Sequence, residues 1–226
     1  MGRELSRVAA IVWKDLTAER RAKANFNAVV FLAGLMLLLF GFALGPDAEA
    51  LRNAAGGVLW LTVLFGGVLG FNRSYDQELQ NGALETLLLY PGDRRSIFLG
   101  KFLANLVFLL LVEMILLPAT ALLFGADLAR ALPRLLLVVL LGTVGFVALG
   151  TFYASMASRL RAREVLLPLL LFPMLVPLLV AAVEATSALL VGDPMGQAGA
   201  WLRLLIVFDV IFFTAAYLAF AHVIEE

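Results

Sequence analysis

The sequence contains no cysteine, a single histidine and few charged residues for its length. Without cysteine there is no disulfide framework, iron–sulfur site or thiol nucleophile, and His222 alone cannot build a multi-histidine metal site. Charged residues make up 15% of the 226 residues, against about 25% in a typical soluble domain. The 17 basic and 17 acidic residues balance to zero net charge. These shortages argue against a soluble enzyme, a nucleic-acid-binding protein and a disordered chain.

Hydrophobic residues are present in excess, at 62% of the chain with a mean hydropathy of +0.97. A spanning helix needs about 20 mostly apolar residues in a row, and the strands of an outer-membrane barrel are shorter and alternate. Six runs of that length predict an all-α, polytopic membrane protein that forms one transmembrane domain over 1–226. The predicted spans are 26–44, 54–71, 102–124, 135–157, 165–183 and 201–221. Residues 184–200 are too short and mixed to span and predict an interfacial or re-entrant element.

The distribution of Lys and Arg predicts the orientation of these spans. Thirteen of the 17 basic residues lie before span 1 or in the loops after spans 2 and 4, and none follows span 6. Positive residues accumulate on the cytoplasmic side of membrane proteins. We therefore expect both termini in the cytoplasm.

The first 25 residues predict an amphipathic helix. Apolar residues recur at helical spacing on one face, and the opposite face carries Arg3, Glu4, Arg7, Lys14 and Asp15. The apolar stripe consists of Leu5, Val8, Ala9, Val12, Trp13 and Leu16. A basic amphipathic helix with a Trp at its edge is typical of the membrane interface. Two roles remain open: a simple topogenic anchor, or an elbow helix that also touches a cytoplasmic partner.

The loop at 72–101 is the longest on the expected cytoplasmic side. Ser74 and Gln77 have capping-box spacing and predict that a helix starts there, while Asn81-Gly82 is expected to interrupt it. A second short turn ends at Pro91-Gly92, and Asp93 is placed to cap span 3. A plain connecting hairpin would be shorter and more polar, so we expect a structured element here.

The phrase Glu78-Leu-Gln-Asn-Gly82-Ala-Leu84-Glu85-Thr-Leu87-Leu-Leu-Tyr-Pro91 resembles the signature of ABC-2-type exporter permeases, at the same place between spans 2 and 3. Within that superfamily the resemblance narrows to the CcmB family, the membrane subunit of the haem exporter of cytochrome c maturation. Further matching phrases are Gly56-Gly-Val-Leu-Trp60, Lys101, Leu141-Gly142-Thr143 and Pro173-Met-Leu-Val-Pro177. The matches run from about residue 14 to 184.

The resemblance implies a permease of the bacterial inner membrane with an N-terminal interfacial helix and a cytoplasmic coupling helix. Its implied partners are a CcmA-like ATPase, a second copy of the chain, CcmC-like and CcmD-like membrane subunits, a CcmE-like haem chaperone and membrane lipid. The grip on the ATPase would consist of Glu78, Gly82, Leu84, Glu85 and Leu87. The chain has no G-x-x-x-x-G-K-[ST] loop to hold phosphates, so ATP would be bound by the partner and this subunit would not be catalytic.

Two carboxyl groups lie inside predicted spans, Glu113 in span 3 and Asp209 in span 6. Such groups are costly in lipid and should face the bundle interior or a water-filled cavity. Each is either a protonated carboxyl bonded to Thr, Tyr or backbone, or a group in the substrate route or a gate. Pro168, Pro173 and Pro177 should kink span 5 and are candidate hinge residues.

His222 is the one conventional nitrogen ligand for haem iron, and its place at the end of span 6 favours a snorkelling interface residue. We therefore expect no stably bound cofactor and no metal site; haem would be a transferred ligand. Two other functions remain open. One is an ABC-2 permease for another cargo, such as a drug, a lipid or a polysaccharide. The other is an intramembrane enzyme built on Glu113 and Asp209, which lacks any nucleophile–base pair or metal cluster.

Overall fold

The computed structural model describes residues 2–80, 93–127, 131–157, 163–193 and 195–223. These residues form seven α-helices. They are α1 (Gly2–Ala22), α2 (Ala24–Leu44), α3 (Ala48–Gln80), α4 (Arg95–Phe124), α5 (Leu132–Ala157), α6 (Arg163–Val191) and α7 (Ala198–Val223). Helices α2 to α7 are each long and apolar enough to cross a membrane. The prediction of an all-α, six-span membrane protein is confirmed.

Helices α3 and α5 form the centre of the bundle. Their spanning stretches are 72% and 67% buried, whereas the other four lie between 17% and 33%. Helix α5 packs against α3, α4, α6 and α7, and α3 also contacts α2, α4 and α6. The outer helices turn large apolar side chains such as Phe31, Leu122 and Val210 outward, as expected of surfaces that face lipid.

Short polar connections join the first three helices. Lys23 takes a left-handed conformation, with φ of 51°, between α1 and α2. The Glu19 carboxylate accepts a hydrogen bond from the Phe26 backbone N–H at 2.7 Å and so stabilises the start of α2, where unpaired N–H groups favour a negative charge. At the next turn Asp47 plays the same part for α3, accepting from the Glu49 N–H at 2.9 Å.

Two sequence-based boundaries were wrong. A new helix was expected at Ser74, but α3 continues without interruption from Ala48 to Gln80, since nothing in this polar stretch breaks a helix before Asn81. Residues 184–200 were expected to form an interfacial or re-entrant element, yet α6 continues to Val191 and α7 already begins at Ala198. The mixed stretch stays helical because its polar Thr186 is buried, where it accepts a hydrogen bond from Trp60.

Helix α6 contains Pro168, Pro173 and Pro177 and remains one continuous helix. The proposed hinge at these residues stays a prediction. Helix α4 also contains an internal proline, Pro118, which the sequence analysis had passed over.

Glycine lets the central helices approach closely. A Cβ on Gly142 of α5 would lie 2.2 Å from the Trp60 ring of α3, far inside van der Waals contact. The Trp60 side chain is buried, with 2% of its surface exposed, so the indole could move only by displacing its neighbours in the core. The close contact between α3 and α5 therefore requires a residue without a side chain at position 142.

We predict that Gly142→Ala destabilises the bundle, because a methyl group there would force the indole off its position, and overpacking typically costs about 1–3 kcal/mol. The measurement is the fraction of detergent-solubilised protein that stays monodisperse after heating. Gly34→Ala is the matched control, since nothing lies within 4 Å of a Cβ on that helical glycine. Equal thermal stability of the two variants would contradict the packing argument.

Candidate functional site

A buried ion pair joins α1 to the beginning of α4. The Lys101 ammonium lies 2.9 Å from the Asp15 carboxylate, and the two side chains are 1% and 16% exposed. A buried Lys without a counter-charge is strongly unfavourable, and breaking such a pair by removing one partner costs roughly 3–5 kcal/mol. Asp15 thus allows a lysine to sit inside the fold where α4 enters the bundle.

Further contacts surround this pair and define the α1–α4 junction, a contact between α1 and residues 93–101. The Asp93 backbone N–H donates to the Glu4 carboxylate at 3.4 Å, and the Arg7 guanidinium donates to the Asp93 carbonyl at 3.3 Å. Ile11 is buried against Gly100, where an added Cβ would lie 2.7 Å from the Ile11 Cβ. The junction therefore combines a buried charge pair, backbone hydrogen bonds and a close apolar contact.

The face of α1 that packs on α4 is not the apolar stripe expected from the sequence. Asp15 lies on the predicted polar face, and Ile11 lies outside the predicted stripe. Two members of that stripe, Leu5 and Trp13, are instead 66% and 75% exposed. The charged face is thus partly used inside the protein, while part of the apolar stripe remains available to the surroundings.

The first turns of α4 also contact α7 on another side. Phe98 is fully buried and its ring centroid lies 5.2 Å from that of Phe220 and 6.1 Å from that of Phe213. The Arg95 guanidinium stacks over the Tyr217 ring at 5.5 Å from its centroid, a favourable cation–π geometry. The start of α4 is therefore held by both α1 and α7.

Deeper in the bundle, two buried polar pairs connect α4 to α5. The Asn105 amide donates to the Thr151 hydroxyl at 3.0 Å, and the Thr143 hydroxyl lies 2.7 Å and 2.8 Å from the two oxygens of Glu113. The partners are eight residues apart on each helix, which is about 12 Å along the axis. Both pairs thus fix the same antiparallel register of α4 against α5.

The geometry at Glu113 matches the first of its two expected roles, a carboxyl bonded to a threonine. The Thr143 hydroxyl also lies 2.7 Å from the Val139 carbonyl, yet a hydroxyl carries only one hydrogen to donate. A protonated Glu113 that donates to Thr143, which in turn donates to Val139, would satisfy all three groups.

The space around Glu113 is closed. The gap beside it, lined also by Leu59, Trp60, Val63, Leu117 and Val139, has no room for a water molecule. The Trp60 indole N–H donates to the Thr186 hydroxyl at 2.9 Å, so α3, α5 and α6 meet at this ring. Among the described residues, the gap beside Glu113 therefore admits no water molecule.

Asp209 is the second buried carboxyl group, with 7% of its surface exposed. Neither oxygen has a hydrogen-bond partner in the described part of the chain. A Cβ on Gly145 of α5 would lie 2.4 Å from the Asp209 Oδ1, so the carboxyl group occupies space that only glycine leaves open. Asp209 and Glu113 therefore contact α5 two residues apart, on nearly opposite sides of that helix.

Comparison with known proteins identifies the family. The family model described as CcmB protein matches residues 6–226. The chain belongs to the CcmB family. Heme exporter protein B of Pseudomonas aeruginosa is 32% identical over 183 residues, which cover 81% of each chain. The protein of the same name from Rhodobacter capsulatus is 31% identical over 175 residues, or 77% of this chain and 80% of the relative. That of Haemophilus influenzae is 28% identical over 186 residues, or 82% and 84%.

The phrases that resemble the CcmB family supply contact points of the bundle. Trp60 packs on Gly142. Thr143, which follows Gly142 in the chain, is hydrogen-bonded to Glu113, and Lys101 forms an ion pair with Asp15. The role of the predicted coupling residues stays a prediction. Gly82, Leu84, Glu85 and Leu87 lie outside the described residues, and of Glu78 only the helical backbone in α3 is described.

The sequence analysis missed the partners of these residues. Asp15 was placed on the charged face of α1 and Glu19 was not considered, although Asp15 pairs with Lys101 and Glu19 caps α2. A signal was present for the first pair, since Lys101 immediately precedes a long apolar span, so an acidic partner could have been sought. No local pattern indicated that Thr186 would receive the Trp60 N–H.

We predict that Thr143→Val destabilises the bundle by about 0.5–2 kcal/mol, the range for interhelical hydrogen bonds in membranes, because it leaves a buried carboxyl group without its partner. Thr62→Val is the matched control: the Thr62 hydroxyl is equally buried but bonds only the Val58 carbonyl of its own helix. Glu113→Gln should keep near wild-type stability, since its amide can donate to Thr143. Thermal unfolding of the solubilised protein measures all three. A Thr143→Val variant as stable as Thr62→Val would contradict the proposed hydrogen bond.

Proposed function

We propose that this chain is the membrane permease subunit of an ATP-driven haem exporter that serves cytochrome c maturation. ATP hydrolysis by a separate subunit would drive either haem delivery or release of a haem-loaded chaperone. The observation that carries this proposal is the family match over 6–226, together with relatives named Heme exporter protein B that align over about four-fifths of both chains. The six spanning helices fit a permease.

A partner subunit would bind and hydrolyse ATP, because the sequence of this chain contains no phosphate-binding loop. The proposed grip on a CcmA-like ATPase lies at 78–87, which begins in the last turn of α3 and continues toward α4. Support for this placement comes from the neighbouring residues. Asp93, six residues past the grip, is hydrogen-bonded to Glu4 and Arg7 of α1, so a push on this segment would reach a helix start that is in contact with α1.

The closed centre of the bundle favours a substrate route outside the individual protomer. The gap beside Glu113 is too narrow for a water molecule, so in this arrangement it offers no path for a flat molecule as large as haem. We propose that two copies of the chain pair and that the cargo passes at their boundary or along a surface shared with CcmC-like and CcmD-like subunits. A CcmE-like chaperone would receive the haem.

The orientation follows from the basic residues. We propose that the protein lies in the bacterial inner membrane with both termini in the cytoplasm, as the excess of Lys and Arg at α1 and after spans 2 and 4 favours. Helix α1 would then lie at the cytoplasmic surface. Its exposed Leu5 and Trp13 would enter the lipid headgroup region, while Glu4, Arg7 and Asp15 hold it on α4.

We predict that a strain lacking this gene shows no covalent haem staining of c-type cytochromes in its membranes. The wild-type gene should restore the stain and Glu85→Arg should not, because a reversed charge in the proposed grip would repel the ATPase. Co-purification of the ATPase with the tagged permease measures the same step directly and should fall for Glu85→Arg.

Glu49→Arg provides the matched control, since Glu49 is an exposed acidic residue at the opposite end of α3. It should restore the stain fully. Unchanged staining in the deletion strain would overturn the role in cytochrome c maturation and leave an exporter of another cargo. Wild-type ATPase recovery with Glu85→Arg would overturn the coupling role of that residue.

A further inference from the structure

We propose that the Asp15–Lys101 ion pair clamps α1 to the first turns of α4, so that the two helices move as one rigid unit during transport. Asp15 and Lys101 would then be positioning residues for the coupling of ATP hydrolysis to export. This inference rests on the proposed function and adds to it a mechanical role for α1, which sequence reasoning had left open between an anchor and a partner-binding helix.

The charge pair fixes the position of α1 along α4. The apolar contact of Ile11 on Gly100 holds the helices together, and the ion pair adds an electrostatic restraint, because a buried ammonium group needs its carboxylate within a few ångströms. Lys101 is 1% exposed and lies 2.9 Å from Asp15. Moving α1 by one turn along α4 would carry the Asp15 carboxylate about 5 Å away from the Lys101 ammonium and break the ion pair.

The clamp lies where a force on the coupling segment would enter the bundle. Asp93 precedes α4 directly, and both its N–H and its carbonyl are bonded to α1, through Glu4 and Arg7. Four residues beyond Lys101, Asn105 bonds Thr151 of α5. A displacement of the start of α4 is therefore shared with α1 and passed to the central helix, rather than absorbed by a local bend.

Charge exchange in the full complex tests the role of the pair. Asp15→Asn and Lys101→Met should each lower covalent haem staining by at least about fivefold, the lower end of the usual range for coupling between sites, while the ATPase co-purifies as with wild type and keeps its activity. The double variant Asp15→Lys/Lys101→Asp should restore most of the stain. Retained ATPase binding separates this effect from a general loss of folding.

Glu49→Gln serves as the matched control, because it removes an exposed acidic charge at the first turn of α3, away from the junction, and should keep wild-type staining. Wild-type staining with both single variants of the pair would overturn the clamp. So would single variants that lose the ATPase together with the stain, since the pair would then only support folding or assembly. Failure of the proposed function itself is distinct, because it appears as unchanged staining in the deletion strain.

A reversible lock tests whether α1 and α4 move together. The chain has no cysteine, so Ile11→Cys with Gly100→Cys introduces the sole thiol pair. A Cβ on Gly100 would lie 2.7 Å from that of Ile11, and a disulfide, which needs about 3.5–4.5 Å, requires the helices to part by about 1 Å.

The rate of ATP hydrolysis is measured in the purified complex with its ATPase subunit. Oxidation should leave this rate within about twofold of the reduced sample, because the ion pair already prevents relative motion of α1 and α4. Loss of free thiols confirms that the bond has formed, and each single cysteine variant is the control. Hydrolysis that stops on oxidation and returns with reductant would show that α1 slides on α4, and would overturn the proposal.

Discussion

The structure depends on one constraint: a polar group inside the bilayer has no water to bind, so a polar partner on a neighbouring helix stabilises the position of both helices. Five polar or charged side chains of helix α4 are buried, and Lys101, Asn105 and Glu113 among them bond to another helix. Each of these three is matched to a polar side chain of another helix, Asp15 on α1 or Thr151 and Thr143 on α5. Individual interhelical hydrogen bonds in membranes contribute only about 0.6 kcal/mol on average. Their value here is to select one register among several that apolar packing would allow.

Glycine in α5 adds a second, steric selection of the same register. Gly142 receives the Trp60 ring, Gly145 the Asp209 carboxyl group and Gly150 the Phe71 ring. Because large side chains of α3 and α7 fill the positions that these glycines leave open, α5 cannot shift along either neighbour without a clash. Helix α5 is thus fixed by polar pairs on the side of α4 and by close glycine contacts on the sides of α3 and α7. Together these contacts explain how α5 can form the centre of the bundle with few hydrogen bonds to other helices.

Much of this architecture can be predicted from the sequence, and the part that cannot has a physical reason. Length and hydropathy reveal the six spans because each helix satisfies its own backbone hydrogen bonds and needs only to be long and apolar. Helix ends were less certain: a stretch such as Ser74 to Gln80 is polar enough to leave the membrane yet still helical. Hydropathy reports where the membrane ends, not where the helix ends.

The candidate site was predictable as a set of residues but not as a set of pairs. Glu113 stood out because a carboxyl group is rare at that depth, whereas its partner Thr143 is unremarkable in a membrane helix. Asp15 was hidden for the opposite reason, since an acidic residue on an amphipathic helix is ordinary. Pairing depends on which helices are neighbours, and one sequence does not contain that information when the partners lie 30 to 126 residues apart.

The closed centre and the anchored start of α4 together constrain how such a protomer can work. In this bundle the gap beside the central carboxyl group is too narrow for a water molecule, and the central helices are held in register. Small side-chain changes therefore do not open a route through it. Packed interfaces shift between discrete arrangements rather than deform continuously. Movement is therefore easiest at the less buried outer helices, of which α2 is only 17% buried in its span. Helix α2 is also joined to α1 through the Lys23 turn and the Glu19 cap. A displacement of α1 together with α4 would therefore move α2 directly. In the proposed complex, α2 would present the surface to which a second copy or another membrane subunit binds.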